Sequence, residues 1–420
     1  MDGIVRQTAA ALMLGLALLA NGWGGDRSSE GPDGKIAGDV IPRIEKATGL
    51  TFKTDPKIEG RTRDEVRAFL ERRFHEELPD EVILGTQAAY RRLGLIPDTM
   101  DLRAFMLDLL EEQVVGYYDP ETKVLYVVQE AAPEQVNGII AHELVHALQD
   151  QYITLDSLQT LRDDNDRQLA AQAVIEGHAM HAMLQAVLQG ADLATALPGG
   201  WDRVREMIRE QQADMPIFST APRIIQETLI FPYLSGAEFM RSFQQLRPGD
   251  VPYSDLPQST EQVMHTRAYF QARDGPTKVI LPNPRVGRSR YQNNLGEFET
   301  RLFIYEHARD QALSVRAAAG WDGDRYMVVQ TPRGEALVWV TVWDTPVDAA
   351  EFSEAVDRAI SRRFDGERMS EVANGKRYEV RDREVSWWGG EIGGRPAVVY
   401  TDAPVGTGNI IVPGTVKFQE

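Results

Sequence analysis

The chain contains no cysteine, and that absence removes disulfides, thiolate metal ligands and a lipid-modified cysteine at once. Basic charge is also scarce: 45 Lys and Arg stand against 63 Asp and Glu, a formal net charge of −18. Affinity for nucleic acid or for an anionic membrane surface comes from cations that neutralise phosphate, so neither is expected as a partner. Long apolar runs are missing apart from one. Thr8 to Ala20 follows Arg6 and gives way to Asn21-Gly22-Trp23-Gly24-Gly25, the three-part layout of a secretory signal peptide, and it is short for a membrane span. Residues 1–23 therefore read as a signal peptide or N-terminal anchor, the one expected route to a membrane tether, and residues 24–42 as a flexible linker. What remains is ordinary globular material, 43% hydrophobic and 26% charged over 420 residues, enough for two or three domains.

Within that material one pentapeptide stands out, His142-Glu143-Leu144-Val145-His146. Pro133 suits a first helical turn, and Val136, Ile139, Ile140, Leu144, Val145 and Leu148 recur at the spacing of a broad buried stripe. The motif is thus predicted to lie mid-helix and in a core. On a helix its two histidines share a face about 6 Å apart and can reach one cation, with Glu143 a step round the cylinder where a general base belongs. Two imidazoles and a carboxylate are costly to bury unless something satisfies them, and a divalent metal satisfies all three.

Zinc held by two histidines needs a third protein ligand and leaves a fourth position for water. The extended pattern H-E-x-x-H-x-x-G-x-x-H is absent, because Gln149 and Tyr152 occupy its Gly and His positions. The next helical run, Gln168 to Leu188, contains Glu176, His178 and His181. Glu176 interrupts an Ala/Val/Ile/Met run built for burial, so it is the expected third ligand. His178 lies about 200° and His181 about 140° round the helix from it, and both read as partly exposed helix histidines. Asp163-Asp164-Asn165-Asp166 lacks the spacing of a calcium loop and reads as a helix cap.

His142-Glu143-Leu144-Val145-His146-Ala147-Leu148-Gln149-Asp150-Gln151, followed by Glu176-Gly177-His178-Ala179, resembles the gluzincin type of zinc metallopeptidase, whose second helix supplies a glutamate from an E-G-x-A-like motif. More closely, the chain resembles a little-characterised group of bacterial envelope zinc metalloproteases. Their pattern includes Gln113 to Lys123, the H-E-L-x-H-A-L-Q-D-Q run, Ser259 to His265 and Ala319 to Tyr326, over roughly residues 45 to 355. The chain departs from the resemblance at Met180, where thermolysin-like enzymes carry an orienting aspartate, and at Thr266, where proline is expected. Asp150, one turn beyond His146, is the candidate replacement for the orienting carboxylate. The resemblance implies a secreted, periplasmic or membrane-tethered envelope zinc peptidase of a bacterium, with one zinc ion on His142, His146 and Glu176 and a protein or peptide as substrate. Gluzincins bring a downstream His or Tyr to the oxyanion, and His265 is the first candidate here, with Tyr233, Tyr253 and Tyr269 as rivals.

The remaining segments complete an α+β expectation. Residues 43–275 read as a mainly helical zincin-like catalytic domain with a β-hairpin, Val114 to Tyr118 and Lys123 to Val128, turned by Asp119-Pro120-Glu121-Thr122. Thr62 with Glu65 and Ser259 with Gln262 form capping boxes. Residues 276–420 read as a smaller α+β domain of unknown role, a sheet with helices on one face, in which Ala319 to Tyr326 is a structural turn. The expected chemistry is peptide hydrolysis, Glu143 taking a proton from a zinc-activated water and delivering it to the leaving amine. The alternatives are a zinc-containing envelope binding or structural protein without peptidase activity, or a zinc hydrolase acting on a non-protein substrate. A purely structural site would favour four protein ligands and has no need of Glu143.

Overall fold

The computed structural model describes residues 32–77, 79–129, 133–153, 163–188, 200–364 and 368–419, so the expected signal segment and residues 24–31 of the expected linker lie outside the described residues. From Pro32 the linker expectation fails. Helix α1, Pro32–Thr48, runs through it and buries Val40 and Ile44 completely. Its Gly and Asp residues suggested a linker, but the apolar spacing that continues past Pro42 serves a helix packed on the core. Among the described residues no helix is long and apolar enough to cross a membrane.

The fold is α+β. A helical half comes first: β1 (Lys57–Arg61), α2 (Arg63–Glu77), α3 (Asp80–Leu93), α4 (Leu102–Gln113), β2 (Gly116–Asp119), β3 (Val124–Val128), α5 (Pro133–Gln149) and α6 (Asn165–Val187). It continues with α7 (Gly200–Ala213), α8 (Pro216–Thr220), α9 (Arg223–Leu246) and α10 (Thr260–Met264). The capping box at Thr62 forms in both directions, with the Thr62 N–H donating to Glu65 Oε2 at 2.9 Å and the Glu65 N–H to Thr62 Oγ1 at 3.3 Å. The hairpin forms as expected and gains a partner, since β1 adds parallel to β3 in the order β1-β3-β2. That order leaves β2 at the sheet edge, alongside α5.

Helix α6 is the axis of this half. Sixteen of its residues are buried, which is why its sequence is apolar all round and shows little sidedness. Its N-terminus is fixed by Asp164, which caps Arg167 N–H at 3.2 Å, and by the buried Asp166, which accepts the Thr260 N–H at 3.0 Å. Further along, α9 crosses at a place where neither helix has a side chain. A Cβ at Gly236 would lie 2.0 Å from the carbonyl oxygen of Ala173, and one at Gly177 would lie 2.1 Å from the carbonyl carbon of Gly236. Only glycine at both positions permits this backbone-to-backbone approach.

The second half contains β4 (Lys278–Ile280), β5 (Arg288–Asn293), α11 (Gly296–Ala308), α12 (Gln311–Ala318), β6 (Trp321–Thr331), β7 (Gly334–Trp343) and α13 (Pro346–Arg363). It closes with β8 (Arg368–Val372), β9 (Gly375–Val380), β10 (Arg383–Ile392), β11 (Arg395–Pro404) and β12 (Lys417–Gln419). Seven strands pair antiparallel in the order β5-β6-β7-β11-β10-β9-β8, and β12 pairs with β4. Alternate residues sort to opposite faces: Tyr326, Val328, Leu337, Trp339 and Tyr400 join the large core under the helices, while Met327, Val329, Val338, Val340 and Val399 pack beneath Val279, Ile410 and Val416. The expected turn at Ala319 to Tyr326 is a turn only at Gly320, φ +74°; from Trp321 it is strand β6, entered through a bulge.

The chain changes from helix to sheet near the expected boundary at 275/276, but its interior does not divide there. One core runs from Val40 to Tyr400. The Tyr291 ring lies against Gly85, where a Cβ would come within 2.2 Å of it, and Tyr90 donates to both Glu299 carboxylate oxygens at 2.9 Å.

Candidate metal centre

Helix α5 brings His142 and His146 to one face, and α6 crosses so that Glu176 meets them. His142 Nε2 and His146 Nε2 are 3.0 Å apart, and Glu176 Oε2 lies 3.1 Å from the first and 3.3 Å from the second. Three atoms that each present a lone pair need a proton or a cation between them to converge this closely. Around a tetrahedral zinc, ligand atoms about 2.0–2.1 Å from the ion would sit about 3.3 Å from each other, so the triangle is close to the size of a zinc face. Both imidazoles are fully buried, and the Glu176 side chain keeps 13% of its exposure.

The charges of the three groups are mutually adjusted. Burial by itself would raise the Glu176 carboxyl, but the charge of His146 and hydrogen bonds from both imidazoles outweigh it and hold the group far below the usual carboxylate range. Burial disfavours protonated His146, yet the charge and hydrogen bond of Glu176 push it up to about 9. Burial lowers His142, only partly offset by Glu176. One positive charge is thus demanded between three ligands, and a divalent cation meets the demand without a proton.

Surrounding groups fix the set. Gln149 Oε1 lies 2.7 Å from His146 Nδ1, and Gln149 Nε2 donates to the Ile175 carbonyl at 2.9 Å, so one amide joins the two metal helices. With Nδ1–H donating to that oxygen, the Nε2 lone pair of His146 points at Glu176 and His142. Glu143 is fully buried, its Oε2 accepts the Tyr118 N–H of edge strand β2 at 2.7 Å, and its Oε1 has no partner. Burial pushes Glu143 up to about 8, with the His146 charge opposing and the Glu176 charge adding. His142 Nδ1 is likewise buried without a partner. The orphaned Glu143 oxygen beside an N₂O ligand set fits a zinc site with a base next to it.

Several expectations are corrected. Asp150 does not orient a histidine: it accepts from the Tyr118 hydroxyl at 2.8 Å and from Lys123 at 2.5 Å, and Gln149 takes the orienting role. His178 and His181 are buried, not partly exposed; His178 Nδ1 lies 2.5 Å from the Tyr253 hydroxyl and His181 Nε2 lies 3.0 Å from Gln244 Oε1. Burial drives His178 down to about 3, so it stays neutral. His265 is not brought to the metal residues. It pairs with Glu297 at 2.9 Å in a cavity of about 1030 Å³ that none of His142, Glu143, His146 and Glu176 lines. That cavity borders the Glu227, Phe231, Leu234 and Glu238 side of α9, while Gly236 on the other side meets α6. Of the rival tyrosines, Tyr233 is the one beside the site, its ring centre 5.9 Å from that of His142, whereas Tyr269 bonds to the Asp255 carbonyl. Tyr117 and Tyr118 are both buried, Tyr117 stacked on Phe69 with centroids 4.2 Å apart.

Residues 283–389 match the model of a domain of unknown function, DUF8575, which covers part of the sheet half and none of the metal-site residues. No curated protein matches the chain. The crystal structure of a candidate hydrolase with a novel fold from Chloroflexus aurantiacus is similar to 63% of this chain over 96% of its own length, at 16% identity and a TM-score of 0.36, a likeness too loose to bear on activity.

Proposed function

We propose that the chain is a zinc-dependent hydrolase, and more narrowly a peptidase, of the kind its gluzincin-like motifs imply. The observation that carries the reading is the triangle of His142 Nε2, His146 Nε2 and Glu176 Oε2, with edges of 3.0, 3.1 and 3.3 Å, beside an unpartnered Glu143 oxygen. Zinc held there supplies Lewis acidity, polarising a scissile carbonyl and acidifying water. Glu143 takes the proton through its free Oε1 while the Tyr118 N–H holds Oε2, and the same carboxyl then delivers the proton to the leaving amine. Gln149 keeps the proton of His146 on Nδ1 and its lone pair inward. Tyr233, beside His142, replaces His265 as the nearest candidate to stabilise the oxyanion. Together with the signal-like segment Thr8 to Ala20, the reading places the enzyme outside the cytoplasm, acting on a protein or peptide.

The test is elemental analysis of wild type, His142→Ala, Glu176→Ala and Glu143→Gln, beside cleavage of casein and of a peptide library. We expect one zinc per wild-type chain, loss in the two ligand variants, and retained zinc without turnover in Glu143→Gln. Zinc-loaded wild type that cleaves neither substrate would refute the peptidase reading, and a wild type that retains no zinc would refute the metal centre.

A further inference from the structure

A second group of ligand-type side chains lies where the two halves meet. Glu261 of α10, Asp274 from the loop after it and Asp344 at the end of β7 place one carboxylate oxygen each within 4.8 Å of one another. Glu261 is 8% exposed, and its carboxylate accepts no hydrogen bond among the described residues. A carboxylate buried without a donor and facing two others is expensive unless a cation sits among them. Burial, with Glu297, Asp274 and Asp344 adding, pushes Glu261 up to about 9, so its charge is unsupported by the protein alone. Asp274 and Asp344 also line a cavity of about 670 Å³, which gives an ion a wet approach and room for water ligands.

We infer that Glu261, Asp274 and Asp344 form a second cation site, all oxygen, suited to calcium. Three carboxylate oxygens within 4.8 Å of one another can face a single ion, and calcium, which takes oxygens at about 2.3–2.6 Å in flexible geometry, suits such a set. The donor set is hard and anionic, unlike the imidazole-rich zinc centre, and the two sites are expected to sort their ions by chemistry. A bound calcium ties α10 to the sheet strand β7 and so braces the junction that also seats the N-terminus of α6 through Asp166 and Thr260.

The test uses zinc-loaded full-length protein and terbium as a calcium stand-in, with Trp343 in the cavity wall as the light-harvesting group. The expected result is sensitised terbium emission that calcium displaces, unchanged in Glu176→Gln and weakened at least about tenfold in affinity by Asp274→Asn. Calcium is also expected to raise the melting temperature of wild type and of Glu176→Gln but not that of Asp274→Asn or Glu261→Gln. Asp274 is only partly buried and lines the cavity, outside the apolar core, so its variant reports on the site without disturbing the core. Emission that survives Asp274→Asn, emission lost only in Glu176→Gln, or a melting temperature indifferent to calcium would each overturn the inference.

Discussion

Replacing Gly236 on α9 by alanine adds one methyl group that meets Ala173 on α6, 63 residues earlier in the sequence and far outside any local motif. The new Cβ would sit 2.0 Å from the Ala173 carbonyl oxygen and 3.0 Å from Gly177 Cα. An ordinary contact needs well over 3 Å, and the obstructing atom is backbone, which cannot rotate aside. The helices must therefore part by about 1 Å or more where Glu176 joins the ligand triangle. Overpacking of this kind costs about 1–3 kcal/mol, against which the better helix propensity of alanine returns about 0.8–1 kcal/mol. The larger effect falls on zinc: displacing one of three ligands by about 1 Å is expected to weaken affinity roughly 10–100-fold, as loss of an orienting partner does. Chelator competition with a fluorescent zinc indicator reads the affinity, and a thermal melt reads the stability. Gly38→Ala is the control, since a Cβ there meets nothing within 4 Å, and it should melt no lower than wild type. A Gly236→Ala protein that binds zinc within twofold of wild type and melts at the same temperature would refute the backbone contact.

Three further outcomes are expected. Gln149→Leu leaves His146 Nδ1 without its partner and should weaken zinc binding about 10–100-fold by the same competition assay, while unchanged affinity would remove Gln149 from the centre. Glu299 is fully buried between Tyr90 and Asn165, and burial pushes its carboxyl from 4.5 up to about 8. The folded chain then holds a proton that the unfolded chain has released, so stability falls as pH rises from about 4.5 to about 8, by at most about 1.4 kcal/mol per pH unit. Denaturant melts of Glu299→Gln should lack that slope, and curves parallel to wild type across the window would contradict it. A chain ending at residue 275 loses Tyr291 from Gly85 and Glu299 from Tyr90, and should show no cooperative thermal transition, whereas a sharp melt would show that the first half folds alone.

The meeting of His142, His146 and Glu176 was legible because these residue types are out of place: they interrupt runs otherwise fit only for burial, and helical spacing puts the two histidines in reach of each other. What joins them was not. The value of Gly177 within Glu176-Gly177-His178-Ala179 depends on a second glycine in another helix, and no local pattern announces that pairing. Gln149 was noted only for filling the Gly position of the extended motif, although a Gln three residues after a buried His on one face is a signal that could have been used. His265 was singled out through the family resemblance, but which side of α9 it lands on is decided by tertiary packing. The longer helices and strands of the second half were readable from their alternation, but α12 and the short strands β4, β8 and β12 were not, nor was β5. Its sequence, Arg288-Ser-Arg-Tyr-Gln-Asn293, is polar because it is an edge strand with two buried side chains, Tyr291, which packs on Gly85, and Asn293, which accepts the Asn165 N–H.

The undivided interior also sets an order of events during synthesis. All three residues proposed to hold zinc are made by residue 176, yet Gly236 and Thr260, which seat α6, and Tyr291 and Glu299, which close the core behind α3, come later. At roughly 5–20 residues per second, about 10–50 s separate Glu176 from the end of the 420-residue chain. During that interval the histidines belong to an unfinished molecule that cannot yet choose a metal by geometry, and copper or nickel would outcompete zinc for loose imidazoles. The compartment in which the last strands dock, rather than the one in which the ligands are made, therefore determines which ion the finished centre encloses.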